Sequence, residues 1–279
     1  MSTPQDRREP PPLSLGISPC PNDTFAFSAL VHGQVPDAPP VDVQFADIDV
    51  LNRRAAAGEL DIVKVSYAAV PDLLDRYALL PAGGALGRGC GPLVVTNDRE
   101  SLAGARVAIP GRRTTAYLLF QLWAREQGVA SIDVLPFDKI MPAVAEGVVD
   151  AGLIIHESRF TYPSFGLTAL VDLGDWWEAQ TGLAIPLGAI LARRTLDTEH
   201  LARVIRASVE AAWADPAASR DYVLAHAQEM DESVVDAHIG LYVNHYTADL
   251  GEDGYAAIEG LLTRAAALHL VPPLAGPLR

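Results

Sequence analysis

The chain has 279 residues, 49% hydrophobic and 20% charged, enough for two ordinary domains or one large α/β unit with a sizeable core. Its 21 Lys and Arg stand against 35 Asp and Glu, a formal charge of −14, and such a surface repels phosphate backbones, which argues against a nucleic-acid partner. No apolar run reaches the roughly 20 residues that span a bilayer, and the opening "MSTPQDRREPPPL" has no apolar signal-peptide region.

The expectation is therefore a cytoplasmic protein without a membrane partner, behind a disordered tail over residues 1–12. In chain order, strand-like "LSLGIS" runs into the helical "DTFAFSALVHG", with Asn22 or Asp23 expected as cap and Gly33 as stop. "VDVQFAD", the helix in "IDVLNRRAAAGEL", the strand "DIVKVS" and a helix in "YAAVPDLLDRY" follow. The Gly-rich "GGALGRGCGP" lacks both a GxGxxG opening a helix and a Lys-Ser/Thr pair, so it reads as a turning crossover and not as a nucleotide loop. Strands in "GPLVVTN" and "ARVAIP" come next, and "GRRTT" leads into the helix "AYLLFQLWAREQG". "IDVLPF", the helix "KIMPAVAEG", "DAGLIIH", "TALVDLG" and "PLGAILARR" continue an alternation that predicts parallel sheets covered by helices. From Asp197 onward four segments, including "PAASRDYVLAHAQEM" and "ESVVDAHIGLYVNHY", carry helical periodicity alone.

Two corners echo each other. "LSLGISPCPNDTFAFSAL" and "ARVAIPGRRTTAYLLFQL" both pass from strand through a proline-marked turn into an apolar helix. Either they are ordinary capped helices, or two helix N-termini face one cleft and favour an anion there. The corner argument adds Asn22 as a candidate ligand contact. Lys64, one of only two lysines, interrupts a strand that otherwise reads as buried. It meets an internal carboxylate or points into a cleft at the strand's end, beside Ser66. His156 closes the apolar "AGLII", where an imidazole at a strand's carboxyl end meets ligand or makes a structural hydrogen bond. The other histidines read as cap or surface residues. Cys20 and Cys90 read as buried thiols, and neither a metal motif nor a GxSxG elbow is present.

"SPCPNDTFAFSALVHG", "KVSYAA", "GGALGRGCGPLVV", "PGRRTTAYLL" and "AGLIIHESRFTYPSFGL" together resemble the 1,4-dihydroxy-6-naphthoate synthase family of the futalosine route to menaquinone. The resemblance runs in order from near Leu13 through "PLGAILARR". It implies a two-lobed fold like the type II periplasmic binding proteins, with residues 13–96 and 187–279 in lobe one, residues 97–186 in lobe two and a ligand cleft between. It implies a lyase that converts cyclic dehypoxanthinyl futalosine, a small carboxylate, without cofactor or metal. It also implies His156 as general base, with substrate contacts on Lys64, Val65 and Ser66 and on Thr115 and Ala116. The alternative is a non-catalytic small-carboxylate-binding protein of the same fold. Oligomeric state is not legible.

Overall fold

The computed structural model describes residues 11–227, 231–276 and 278. Most of the expected tail, and the end of the helix expected to reach Met230, lie outside the described residues. In chain order the strands are β1 (Leu13–Ile17), β2 (Val41–Phe45), β3 (Ile62–Ser66), β4 (Tyr77–Gly87) and β5 (Leu93–Thr96). There follow β6 (Arg106–Ile109), β7 (Ser131–Val134), β8 (Ala151–Ile154), β9 (Thr168–Asp172) and β10 (Ile185–Arg193). They form two five-stranded sheets, ordered β2-β1-β3-β10-β4 and β7-β6-β8-β5-β9.

The sheets are mixed, not wholly parallel as expected. Strand β1 pairs in parallel with β2 and β3, and β6 with β7 and β8. Strand β10 runs antiparallel to β3 and β4, and β5 antiparallel to β8 and β9. These are the strands by which the chain arrives from the other sheet, and because they enter from outside their sheet, no βαβ unit within it sets their direction. The change of sheet falls between Gly87 and Leu93, and the return between Asp172 and Ile185. The segment Leu93–Thr96 thus belongs with the second sheet and Ile185–Pro186 with the first, a few residues away from the boundaries expected at 96/97 and 186/187. Ladder pairing decides where a sheet ends, and composition does not report it.

Much of the Gly-rich crossover is strand. Glycines serve close approach there: a Cβ on Gly84 would sit 2.9 Å from the carbonyl oxygen of Gly188 on the paired strand. One on Gly91 would sit 2.1 Å from the backbone nitrogen of Gly174.

Four helices set the site: α1 (Pro21–Val31), α2 (Ile48–Ala57), α3 (Thr115–Trp123) and α4 (Phe137–Ala145). The cap of α1 is Cys20, through its backbone alone. Its carbonyl accepts from the Asp23 and Thr24 amides at 3.0 and 3.1 Å, and neither Asn22 nor Asp23 caps. Residues Pro21–Leu30 are all buried, so α1 is a core helix enclosed on every side. The helix expected in "YAAVPDLLDRY" is only the 3-10 segment Tyr67–Asp72, because the chain must straighten into β4 at Tyr77. The helices Thr198–Ala214 and α1 bury Leu15, Ile17, Phe27, Ile190 and Ile205 on one side of the first sheet. On the other side α2 and the helix Gly251–Ala267 bury Leu60, Val65, Leu191 and Ile258. The C-terminal helices also reach the second sheet's core, where Tyr242, Leu261 and Ala265 join Ile109, Leu119 and Trp177.

Candidate active site

Both sheets turn the carboxyl ends of their parallel strands toward one space, the place where open α/β sheets bind ligands. Strand β1 feeds the corner Ser18–Cys20, β3 ends at Ser66, β6 leads toward α3, and β8 ends two residues before His156. An inner cavity of about 80 Å³ is walled by Lys64 and Ser66 from one sheet, by Thr115, Ala116 and His156 from the other, and by Asn22 and His238. An outer groove of about 360 Å³, bordered by Cys20, Asp49, Arg53 and Phe137, shares Ile48, Ile155 and His156 with it. His156 therefore stands at the neck between the two spaces.

The backbone of His156 has φ +53°, a left-handed conformation that costs a branched or bulky residue about 1–3 kcal/mol and clusters at functional sites. It turns the chain sharply after β8. The imidazole Nδ1 lies 3.4 Å from Cys20 Sγ, and the ring meets Phe137 edge-on at 5.3 Å. Burial, followed by the nearby Lys64 charge, lowers the His156 pKa to about 4 against a smaller opposing pull from Asp23. The ring is therefore neutral at physiological pH. Burial and then the Glu157 charge push the Cys20 thiol up, so it keeps its proton. Cys20, His156 and Glu157 offer ligand atoms within 4.8 Å of one another, the grouping among the described residues that could hold a metal ion. Residues 136 positions apart in sequence make this contact, so the absence of a spaced motif did not speak to it.

Lys64 finds its carboxylate. It forms a buried ion pair with Asp23, at 8% and 1% side-chain exposure. The second Asp23 oxygen accepts from the Ser18 amide at 3.1 Å and the Ser18 hydroxyl at 2.7 Å. The Asn22 side-chain amide donates to Asp23 Oδ1 at 2.8 Å, while Asn22 Oδ1 lies 2.9 Å from His238 Nε2. This explains the dense chemistry of "SPCPND": Ser18, Asn22 and Asp23 build a seat for a buried cation. Lys64 and Asn22 line the cavity, but their polar atoms are engaged by the protein.

Ser66 is held by Asn52, whose Oδ1 accepts from the Ser66 amide at 2.8 Å and whose Nδ2 donates to Ser66 Oγ at 3.1 Å. Asn52 Nδ2 also reaches the Arg113 carbonyl at 3.3 Å and so ties the two sheets' loops together. Val65 does not border the cavity; strand alternation turns its side chain into the core beneath β3. Thr114 caps α3, accepting from the Tyr117 amide at 3.1 Å. The Thr115 and Ala116 amides that follow have no upstream helical carbonyl to bond, and both residues border the cavity. The Thr115 hydroxyl is committed elsewhere: it donates to the Leu187 carbonyl at 2.8 Å and accepts from the Ala68 amide at 3.3 Å. Thr115→Val should accordingly reduce folding stability by about 1–3 kcal/mol, the usual result of stranding buried partners, with little change in the Michaelis constant. Denaturant melts and steady-state kinetics check both halves, and a large KM change with unchanged stability would return the hydroxyl to the ligand.

Two sheets, two chain passages between them and a cleft at the strand ends define a binding-protein-like α/β fold. The alkanesulfonate-binding protein of Xanthomonas axonopodis has this fold, with a TM-score of 0.72 at 16% identity over 97% of this chain and 98% of that one. A crystal structure from Archaeoglobus fulgidus superposes with a TM-score of 0.86 at 36% identity, covering 93% of this chain and 98% of that one. The chain belongs to the menaquinone biosynthesis family, whose model matches residues 13–267. It is 63% identical to a 1,4-dihydroxy-6-naphthoate synthase of Streptomyces coelicolor, over 95% of this chain and 96% of that protein. It is 52% identical to the enzyme of the same name from Thermus thermophilus, over 95% and 98%. No helix among the described residues is long and apolar enough to cross a membrane.

Proposed function

We propose that this protein is a lyase of menaquinone biosynthesis that converts cyclic dehypoxanthinyl futalosine to 1,4-dihydroxy-6-naphthoate, with His156 as general base. The observation that carries this reading is a neutral imidazole at the neck between the two spaces. Family membership and the relatives' names support the product. In the tautomer that serves as base, Nδ1–H donates to the Cys20 sulfur 3.4 Å away, which leaves the Nε2 lone pair free to take a proton from substrate. Proton removal by Nε2 starts carbon–carbon cleavage, and the aromaticity gained by the product supplies driving force. The Thr115 and Ala116 amides, at the positive end of α3, suit the substrate carboxylate. Asn22 and Lys64 shape the cavity wall with their polar atoms engaged by the protein, and Ser66 borders the reacting ring. The inner cavity is well below the roughly 300–1,000 Å³ of typical small-molecule sites. A bicycle joined to a second ring must therefore span both spaces or part the sheets. Closure over it would then exclude water.

Incubating pure protein with the cyclic futalosine derivative should generate the naphthoate chromophore; binding without turnover would favour a carboxylate-binding protein. The pH dependence follows from the low pKa of His156. Only the neutral ring accepts a proton, so activity is lost as pH falls through about 4 and is flat in this limb across pH 6–8. An NMR titration of the imidazole checks this directly, and a midpoint near the ordinary 6.5 would overturn it.

A further inference from the structure

His238 lies on the helix Glu232–Tyr242, buried to 1% exposure, and is one of the residues that border the inner cavity with His156, Ser66 and Thr115. Its tautomer follows from the groups behind it. The Asp23 carboxylate, paired with Lys64, only accepts hydrogen bonds, so Asn22 must present its NH₂ to Asp23 at 2.8 Å. Asn22 then presents its oxygen to His238, and the ring nitrogen 2.9 Å away must carry a proton. That nitrogen is Nε2. In the neutral ring Nδ1 is left as a bare lone pair, and it is buried with no hydrogen-bond partner.

An unpaired buried acceptor is a standing penalty in the free protein. Within a ligand cavity a donor from the ligand relieves it. Burial, with the Lys64 charge acting in the same direction, also keeps the ring from becoming a cation. At this point of the cavity Nδ1 accepts and does not donate.

We infer that Nδ1 of His238 is a subsite for a hydroxyl donor of the ligand, and that Asn22, Asp23 and Lys64 are positioning residues that fix its tautomer. The ligand's identity rests on the function proposed above, whose substrate carries a ribose-derived, hydroxyl-bearing ring. The tautomer does not.

Two measurements test this. Nitrogen NMR of ¹⁵N-histidine-labelled free protein at neutral pH should show His238 protonated at Nε2 and bare at Nδ1. The opposite tautomer, or an imidazolium, overturns the inference whatever the substrate. The second measurement compares His238→Asn, His238→Gln and His238→Phe in steady-state turnover of the cyclic futalosine derivative. An asparagine oxygen can occupy the place of Nδ1, whereas glutamine reaches the place of Nε2. KM should stay near wild type in His238→Asn and rise roughly 10–100-fold in His238→Gln and His238→Phe. A residue that merely satisfies Asn22 predicts the reverse, with glutamine as the rescuing variant, and that order would sink the subsite. Wild-type protein inactive on this substrate would fail the functional proposal instead, and the inference would then stand or fall on the tautomer alone.

Discussion

His156→Asn should lower turnover by about 10²–10⁴-fold, the usual contribution of a positioned general base, while KM stays within a few-fold of wild type. Asparagine is the informative replacement because it tolerates a positive φ, so the +53° backbone at this position survives the change. The amide occupies less of the neck but cannot accept and hold a proton at neutral pH. The measurement is kcat and KM side by side, with thermal melts to confirm folding. Near-normal kcat in a folded variant would remove His156 from the chemistry. A rise in KM alone would make it a binding group.

The second large effect concerns the buried cation in the cavity wall. Lys64→Met should reduce folding stability by about 3–5 kcal/mol, because it strands the Asp23 carboxylate at 1% exposure. Coupling it with Asp23→Asn should recover much of that loss, since no buried charge then lacks its partner. Denaturant unfolding of the two single variants and the double decides it. Additive losses in the double variant would mean that the two charges do not depend on each other. The Lys64 charge also helps to lower the His156 pKa. Its removal should therefore raise that pKa and move the acid limb of activity upward. A limb that stays in place would show burial alone to be responsible.

The strand–helix alternation was legible because apolar periodicity reports the local backbone directly: β1, β3, β8 and α3 fall within a few residues of where the pattern puts them. The turning crossover read over Gly83–Pro92 is found only after Gly87, the part before it being strand, and the difference has a physical origin. Glycine signals turns by conformational freedom, yet here Gly84 and Gly91 are present because another backbone passes too close for a side chain. That neighbour, Gly188 or Gly174, lies some hundred positions away and leaves no local trace.

The site divides along the same line. Lys64 within an apolar strand called for either a carboxylate or a cleft, and His156 at a strand mouth stood apart from the other histidines. The sequence could name both but not join them to Asp23, Asn52, Cys20 and His238. His238 sits in a periodic helix and reads as a surface or cap residue, because nothing local says that the helix closes over a cavity. Its hydrogen bond to Asn22 spans 216 positions. By itself, then, the sequence determined the elements, the family resemblance and the residue types available for proton chemistry, since these depend on neighbours a few positions apart. Only the tertiary structure decided which hydroxyls and amides are already satisfied, which lone pair is left bare, and that Lys64 faces Asp23. Those facts depend on long-range packing and on which buried polar groups find partners, and no periodicity encodes them.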